Sequence, residues 1–170
     1  MSARRVADAV GTTTRAVYSV FGDMDGLMRA LSVDVAETMR RHHEDIPEGE
    51  DPIAEIMELA LGYRAAALAK PNLYGVFVDE IRGDADPADP VFALVYRSFE
   101  RVLQAIRRGL ASGRFPGRSE FEVGRFLLAV VHGLASLELR GILGEGEAAQ
   151  LAWRHAVGTA LSGLQQPPPH

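Results

Sequence analysis

Cysteine is absent from the 170 residues. That excludes a disulfide framework, a thiolate zinc or iron–sulfur centre and a cysteine nucleophile. Long apolar runs are missing too. The longest nearly uncharged one, Phe126 to Leu137, has 12 residues and contains His132, against the roughly 20 that a bilayer-spanning helix needs. The N-terminus, Met1-Ser2-Ala3-Arg4-Arg5 leading into Val6-Ala7-Asp8, has no apolar signal-peptide core, so a cytoplasmic protein with no membrane partner is expected. No Gly-x-Gly-x-x-Gly, phosphate loop, His-Glu-x-x-His or Gly-x-Ser-x-Gly occurs. An enzyme is therefore not expected, nor is a cofactor. Positive charge is in the minority, with 18 Lys+Arg against 23 Asp+Glu and a net charge of −5, which argues against a non-specific nucleic-acid coat.

The charge is unevenly spread, however. Residues 1–22 carry Arg4, Arg5 and Arg15 against Asp8, residues 23–60 carry three arginines against eleven acids, and the remainder is close to neutral. The N-terminus is the one net-basic segment with a distinct pattern, so a polyanion partner is sought there.

Apolar residues recur at three- and four-residue steps, and strict alternation is never sustained. This predicts an all-α chain. A first helix is expected from Ala3 to Val10, closed by Gly11, and a second from about Thr13 to Val20. A third runs from Met24 to about His43 behind Asp23, with Leu27, Leu31, Val35 and Met39 in one row. Asp51-Pro52 opens a helix to Ala69, and Asn72 to Ile81 forms a shorter one. One helix is predicted to carry Phe92, Tyr96, Phe99, Leu103, Ile106 and Leu110 on a single stripe. The last two helices span about Ser119 to Gly141 and Glu145 to Leu164. Their apolar faces, Phe126, Val130 and Leu134 on one and Trp153, Val157, Ala160, Leu161 and Leu164 on the other, suggest a helical bundle with a second copy; the same pattern also fits deep intramolecular helices. The resulting division is residues 1–43, residues 44–164 and a frayed tail at 165–170. His42-His43-Glu44-Asp45 holds metal-ligand types, but neighbouring helical histidines point about 100° apart, and no metal site is expected.

Two short helices around a glycine, the second bearing Thr12, Thr13, Thr14, Arg15, Tyr18 and Ser19 at and near its start, form the pattern of a helix-turn-helix whose second helix enters the major groove. Arg15 near the helix start can fork onto guanine O6 and N7. Threonine hydroxyls and the helix N-terminus suit phosphate, and Tyr18 and Ser19 could bond the backbone.

The stretch from Val6 to Leu27, with its glycine turn, its Tyr18-x-x-Phe21 pair and the leucine that begins the connecting helix, resembles the N-terminal signature of TetR/AcrR-type transcriptional regulators. Val131-His132-Gly133-Leu134-Ala135-Ser136-Leu137 resembles the Trp/Val-His-Gly element of one C-terminal domain class in that family. The resemblance implies an all-helical homodimer that binds a palindromic double-stranded operator, usually as a repressor, and leaves it when a small-molecule effector enters the larger domain. By position, Thr13, Thr14, Arg15 and Ala16 would face bases, while Thr12, Tyr18 and Ser19 would hold phosphate. The chain departs from the family's pattern at Thr12, Val20 and Met24. The lysine usual at the last of these is missing, which implies weaker binding and a shallower salt slope. The family's DNA-binding domain also begins with one helix more, so the partial helix-turn-helix is expected to leave Val6, Val10, Val17 and Phe21 without a covering wall. A dimeric ligand-binding or protein-interaction module that has lost DNA binding is the alternative. Family effector pockets lie among the middle helices, which here carry Tyr63, Tyr74, Phe77, Phe92, Tyr96 and Phe99. His132 is a further candidate. An aromatic stripe at helical spacing is equally what plain core looks like.

Overall fold

Capping chemistry sets most of the element boundaries. The computed structural model describes residues 2–9, 11–80 and 89–168, and these contain nine helices and no strand. Helix α1 (Ala3–Ala9) leads through Gly11, whose φ of 67° is glycine territory, into α2 (Thr14–Phe21). Thr13 caps α2 by accepting a hydrogen bond from the Ala16 N–H at 3.1 Å, and Asp23 caps α3 (Met24–Glu44) from the Gly26 N–H at 2.7 Å. Asp51 and Asp89 do the same for α4 (Pro52–Ala69) and α6 (Pro90–Ser98), each followed by proline in the first turn. A capping box of Ser119 and Glu122 opens α8 (Glu120–Glu138). The remaining elements are α5 (Pro71–Glu80), α7 (Glu100–Ala111) and α9 (Gly146–Leu164).

The stripe from Phe92 to Leu110 does not make one helix: the chain breaks at Phe99, with φ −101° and ψ 0°. Three contacts account for the break. The Ser98 hydroxyl donates to the Val95 carbonyl at 2.6 Å, and the Ser98 carbonyl accepts from His43 Nδ1 at 2.8 Å. Phe99 then turns inward beside the rings of His43 and Tyr63, each with its centroid 6.3 Å away. Periodicity is blind to a helix bond given up for a tertiary one.

Apolar burial divides into three clusters strung along α3. At its start, Leu27 packs with Ala3, Ala7 and Val17, rimmed by Val6, Phe21, Met24 and Leu31. Val17 is therefore covered by α1 and α3, and Val6 and Phe21 are half-buried, where no wall was expected; Val10 lies outside the described residues. In the middle, Val35 and Ala36 meet Leu73, Leu94, Val95 and Phe99. At the far end Met39 joins the main core with Ile56, Leu59, Tyr63, Ile106, Leu127 and Trp153. Helix α3 thus belongs to both of the expected domains.

The stripe on α9 points inward. Trp153, Val157, Ala160, Leu161 and Leu164, read from sequence as facing a second copy, are each exposed by 8% or less within the single chain. The cause is the Trp153 indole, which donates to Glu138 at 2.7 Å while Arg64 clamps the same carboxylate through Nε and Nη2. An indole buried this deeply needs such a partner. Among the eight expected interface residues, Phe126 is 46% exposed and Val130 and Leu134 are half-buried. With Leu137 they leave an apolar row on the outer face of α8.

Candidate functional sites

The second short helix presents its polar face to solvent. Thr12, Thr13, Thr14, Arg15, Tyr18 and Ser19 are all exposed, and Ala16 is half-buried, while Val17 alone is turned fully inward. Thr13 spends its hydroxyl oxygen on the helix cap, which leaves its proton free to donate. Val20, 73% exposed, is an apolar side chain on the same open end. No carboxylate pairs with Arg15 among the described residues. The arrangement is a short, rigidly capped helix with one free guanidinium at its start.

About 25 residues further on, α3 reaches a cavity of about 430 Å³ bounded by α3, α4, α6, α7 and α8. Its wall is almost wholly hydrocarbon, from Ile56, Leu59, Phe99, Val102, Leu103, Ile106, Leu127, Leu128 and Val131. Tyr63, Tyr96 and Phe99 line it as the sequence suggested, but Tyr74, His132 and Phe92 do not. Phe92 is half-buried at the start of α6, and the Phe77 side chain lies outside the described ones.

Tyr74 and His132 are nevertheless tied to the wall. Tyr63 Oη and Tyr74 Oη are 2.8 Å apart, and Tyr74 Oη is 2.7 Å from His132 Nδ1. This makes an unbroken hydrogen-bonded chain from the cavity's aromatic floor to a half-buried imidazole. Burial pushes Tyr74 up to about 12 and Tyr63 higher still, so both stay phenols. Burial, with Arg140 adding to it, pushes His132 down.

His43 is the lining residue that sequence reasoning missed as a pocket group. Burial lowers its pKa, outweighing the Ser98 and Leu59 carbonyls that favour the proton. The ring is neutral at pH 7, with its one hydrogen on Nδ1 facing Ser98. Its Nε2 completes no hydrogen bond. The neighbouring His42 turns instead to the Thr38 carbonyl at 2.8 Å, so the two rings share no site. Among the described residues no three metal-ligating side chains converge, and no helix is long and apolar enough to cross a membrane. The signal for His43 was its place in the α3 row, four residues past Met39.

Residues 56–160, which supply most of this cavity, match the family described as the tetracyclin repressor-like, C-terminal domain. The chain belongs to this family. Solved structures share the fold. One is a TetR family transcriptional regulator, PfmR, from Thermus thermophilus, at 20% identity and a TM-score of 0.72, covering 98% of this chain and 90% of that one. Another is a protein of unknown function from a Rhodococcus species, at 22% identity and a TM-score of 0.70, covering 98% and 86%. No curated protein matches the sequence. In a tetracyclin repressor-like domain the cavity bounded by α4, α7 and α8 is the feature to explain, and α3 is what links it to the exposed helix.

Proposed function

We propose that this chain is a ligand-responsive, DNA-binding transcriptional regulator. It acts in the cytoplasm as a homodimer on a palindromic operator, represses, and is released when a small, largely apolar molecule enters the cavity. The observation that carries the reading is the span of α3. Its first turns hold α2 in place through Leu27, and its last turn puts His43 into the cavity wall. Arg15 is the base reader, with Thr13, Thr14 and Ala16 beside it, and Thr12, Tyr18 and Ser19 grip phosphate. The second copy docks on the outer row of α8, Phe126, Val130, Leu134 and Leu137, since the α9 stripe is already consumed inside the chain.

A mobility-shift titration against promoter-proximal DNA tests this. A sequence-selective shift is expected. Arg15→Ala should cost about 1–3 kcal/mol of discrimination, while Ser19→Ala should weaken all sequences alike. Equal losses on specific and random DNA for Arg15→Ala would remove its base-reading role. No selective shift at all would leave the alternative, a ligand-binding module without DNA recognition.

A further inference from the structure

The cavity wall carries two charged side chains, Glu120 and Arg125, both from the first turns of α8. They are not equivalent. Glu120 is neutralised by Arg107, whose Nε and Nη2 each donate to it at 3.0 Å. Arg125 meets no carboxylate among the described residues. Its guanidinium lies 5.0 Å from the centre of the Phe121 ring, and that ring is itself 67% exposed. The nearest acid on the helix, Glu122, is committed to the Ser119 N–H and hydroxyl, at 2.7 Å each. Glu122 feels the charge of Arg125 without bonding to it, so a guanidinium with no ion-pair contact among the described residues stands at the rim of an otherwise hydrocarbon chamber.

We infer that the cavity takes a monocarboxylate amphiphile, with its apolar body inside and its carboxylate on Arg125. This rests on the reading of the cavity as a ligand site and adds the ligand's charge and polarity to it. The cavity of about 430 Å³ falls in the range of about 300–1,000 Å³ typical of small-molecule sites. The guanidinium fork matches a carboxylate, and its stem and the Phe121 ring extend the greasy wall up to the charge. A cationic end group would meet Arg125 with like charge, and a neutral one would leave it unused.

Calorimetric titration with decanoate, decanol and decylamine, each below its aggregation limit, decides the matter. Decanoate is expected to saturate at one molecule per chain and to bind more tightly than decanol, with decylamine weakest. Arg125→Gln alters an exposed side chain, so folding is not at stake. It should weaken decanoate about threefold to tenfold and leave decanol unchanged, and Arg125→Lys should keep most of the preference. Gly124→Leu should weaken both ligands. A Cβ there meets Leu103 Cδ2 and Ile106 Cδ1 at 3.9 and 4.0 Å, which is ordinary contact, and the rest of the side chain fills the mouth. Equal binding of decanoate and decanol, or indifference of decanoate to Arg125→Gln, overturns the charge assignment while the ligand cavity stands. Failure of all three probes to bind overturns the cavity reading itself.

Discussion

Replacing Glu55 by glutamine removes one charge from beneath the cavity and should unfold the chain far more readily than its single-atom change suggests. The Glu55 side chain is 1% exposed, and its carboxylate accepts from Arg101 at 3.0 Å, from Arg108, and from the Gly49 N–H at 3.0 Å. It thereby ties α4 to α7 and to the loop after α3. Breaking one partner of a buried ion pair typically costs about 3–5 kcal/mol. Here the loss falls at or just below the lower end, because Arg108 keeps Glu48 at 2.8 Å and the Gly49 carbonyl at 2.9 Å, and glutamine retains one acceptor. A loss of about 2–3 kcal/mol is expected, or roughly 5–10 °C in Tm for a chain of this length. Urea unfolding at pH 7.5 measures it, and its pH dependence identifies the cause. Burial alone raises the Glu55 pKa, but the Gly49 N–H and the two arginines together outweigh it and hold the carboxyl below its ordinary value. As pH falls below about 4.3 the unfolded chain takes the proton first. The stabilisation present above that pH is then lost as pH drops through the folded-state value. The gap between Glu55→Gln and the parent chain should therefore narrow from pH 5 toward pH 3. A deficit under about 1 kcal/mol at neutral pH, or one that stays constant on acidification, would refute the ion-pair account.

Gly26→Ala should loosen the α1–α2 end of the chain alone. An added Cβ would stand 1.9 Å from the Phe21 carbonyl oxygen, so the α2–α3 junction must shift at a cost of about 1–3 kcal/mol. Hydrogen exchange should show lost protection in α1 and α2 with unchanged ligand affinity. His43→Asn keeps a donor for the Ser98 carbonyl but removes a titrating group whose pKa burial has lowered. In the parent chain the unfolded state protonates first below about pH 6.5, so stability declines from pH 7 to 5. His132 contributes with the same sign, so denaturation curves across that range should flatten in His43→Asn without becoming level. An unchanged slope would show that His43 does not titrate differently on unfolding.

How far the sequence could be read depended on whether a signal was local. Thr13, Asp23, Asp51 and Ser119 announce their helices because a cap is a contact between residues two or three apart. The exposed face of α2 follows from eight residues of pattern. The break at Phe99 does not, because the groups that stabilise it come from α3 and α4, 55 and 36 positions away in the chain. The α9 stripe failed for a related reason. An apolar face specifies burial but not whose core buries it, and the deciding bond, Trp153 to Glu138, crosses the turn between helices. Tyr63, Tyr96 and Phe99 were legible as an aromatic group. Their division from Tyr74 and His132 was not, since it depends on how α4, α5, α6 and α8 pack together and not on spacing along any one helix.

On the proposed reading, signal passes along α3, and the strength of its attachments decides how. A ligand shifts an equilibrium only by its differential affinity for two arrangements, so it must contact something that can move. At the cavity end α3 is held by buried groups, Met39 in the core and His43 bonded to the Ser98 carbonyl beside the break. Its middle packs through Val35 and Ala36, whereas its first turns bury Leu27 only against α1 and α2 and reach the rest of the chain through the half-exposed pair of Arg29 with Asp89, worth little in water. A ligand that displaces Phe99 therefore pulls on the firmly fixed end of a rod about 32 Å long. The loosely tethered end yields, and it carries α2 with it through Leu27 and Val17.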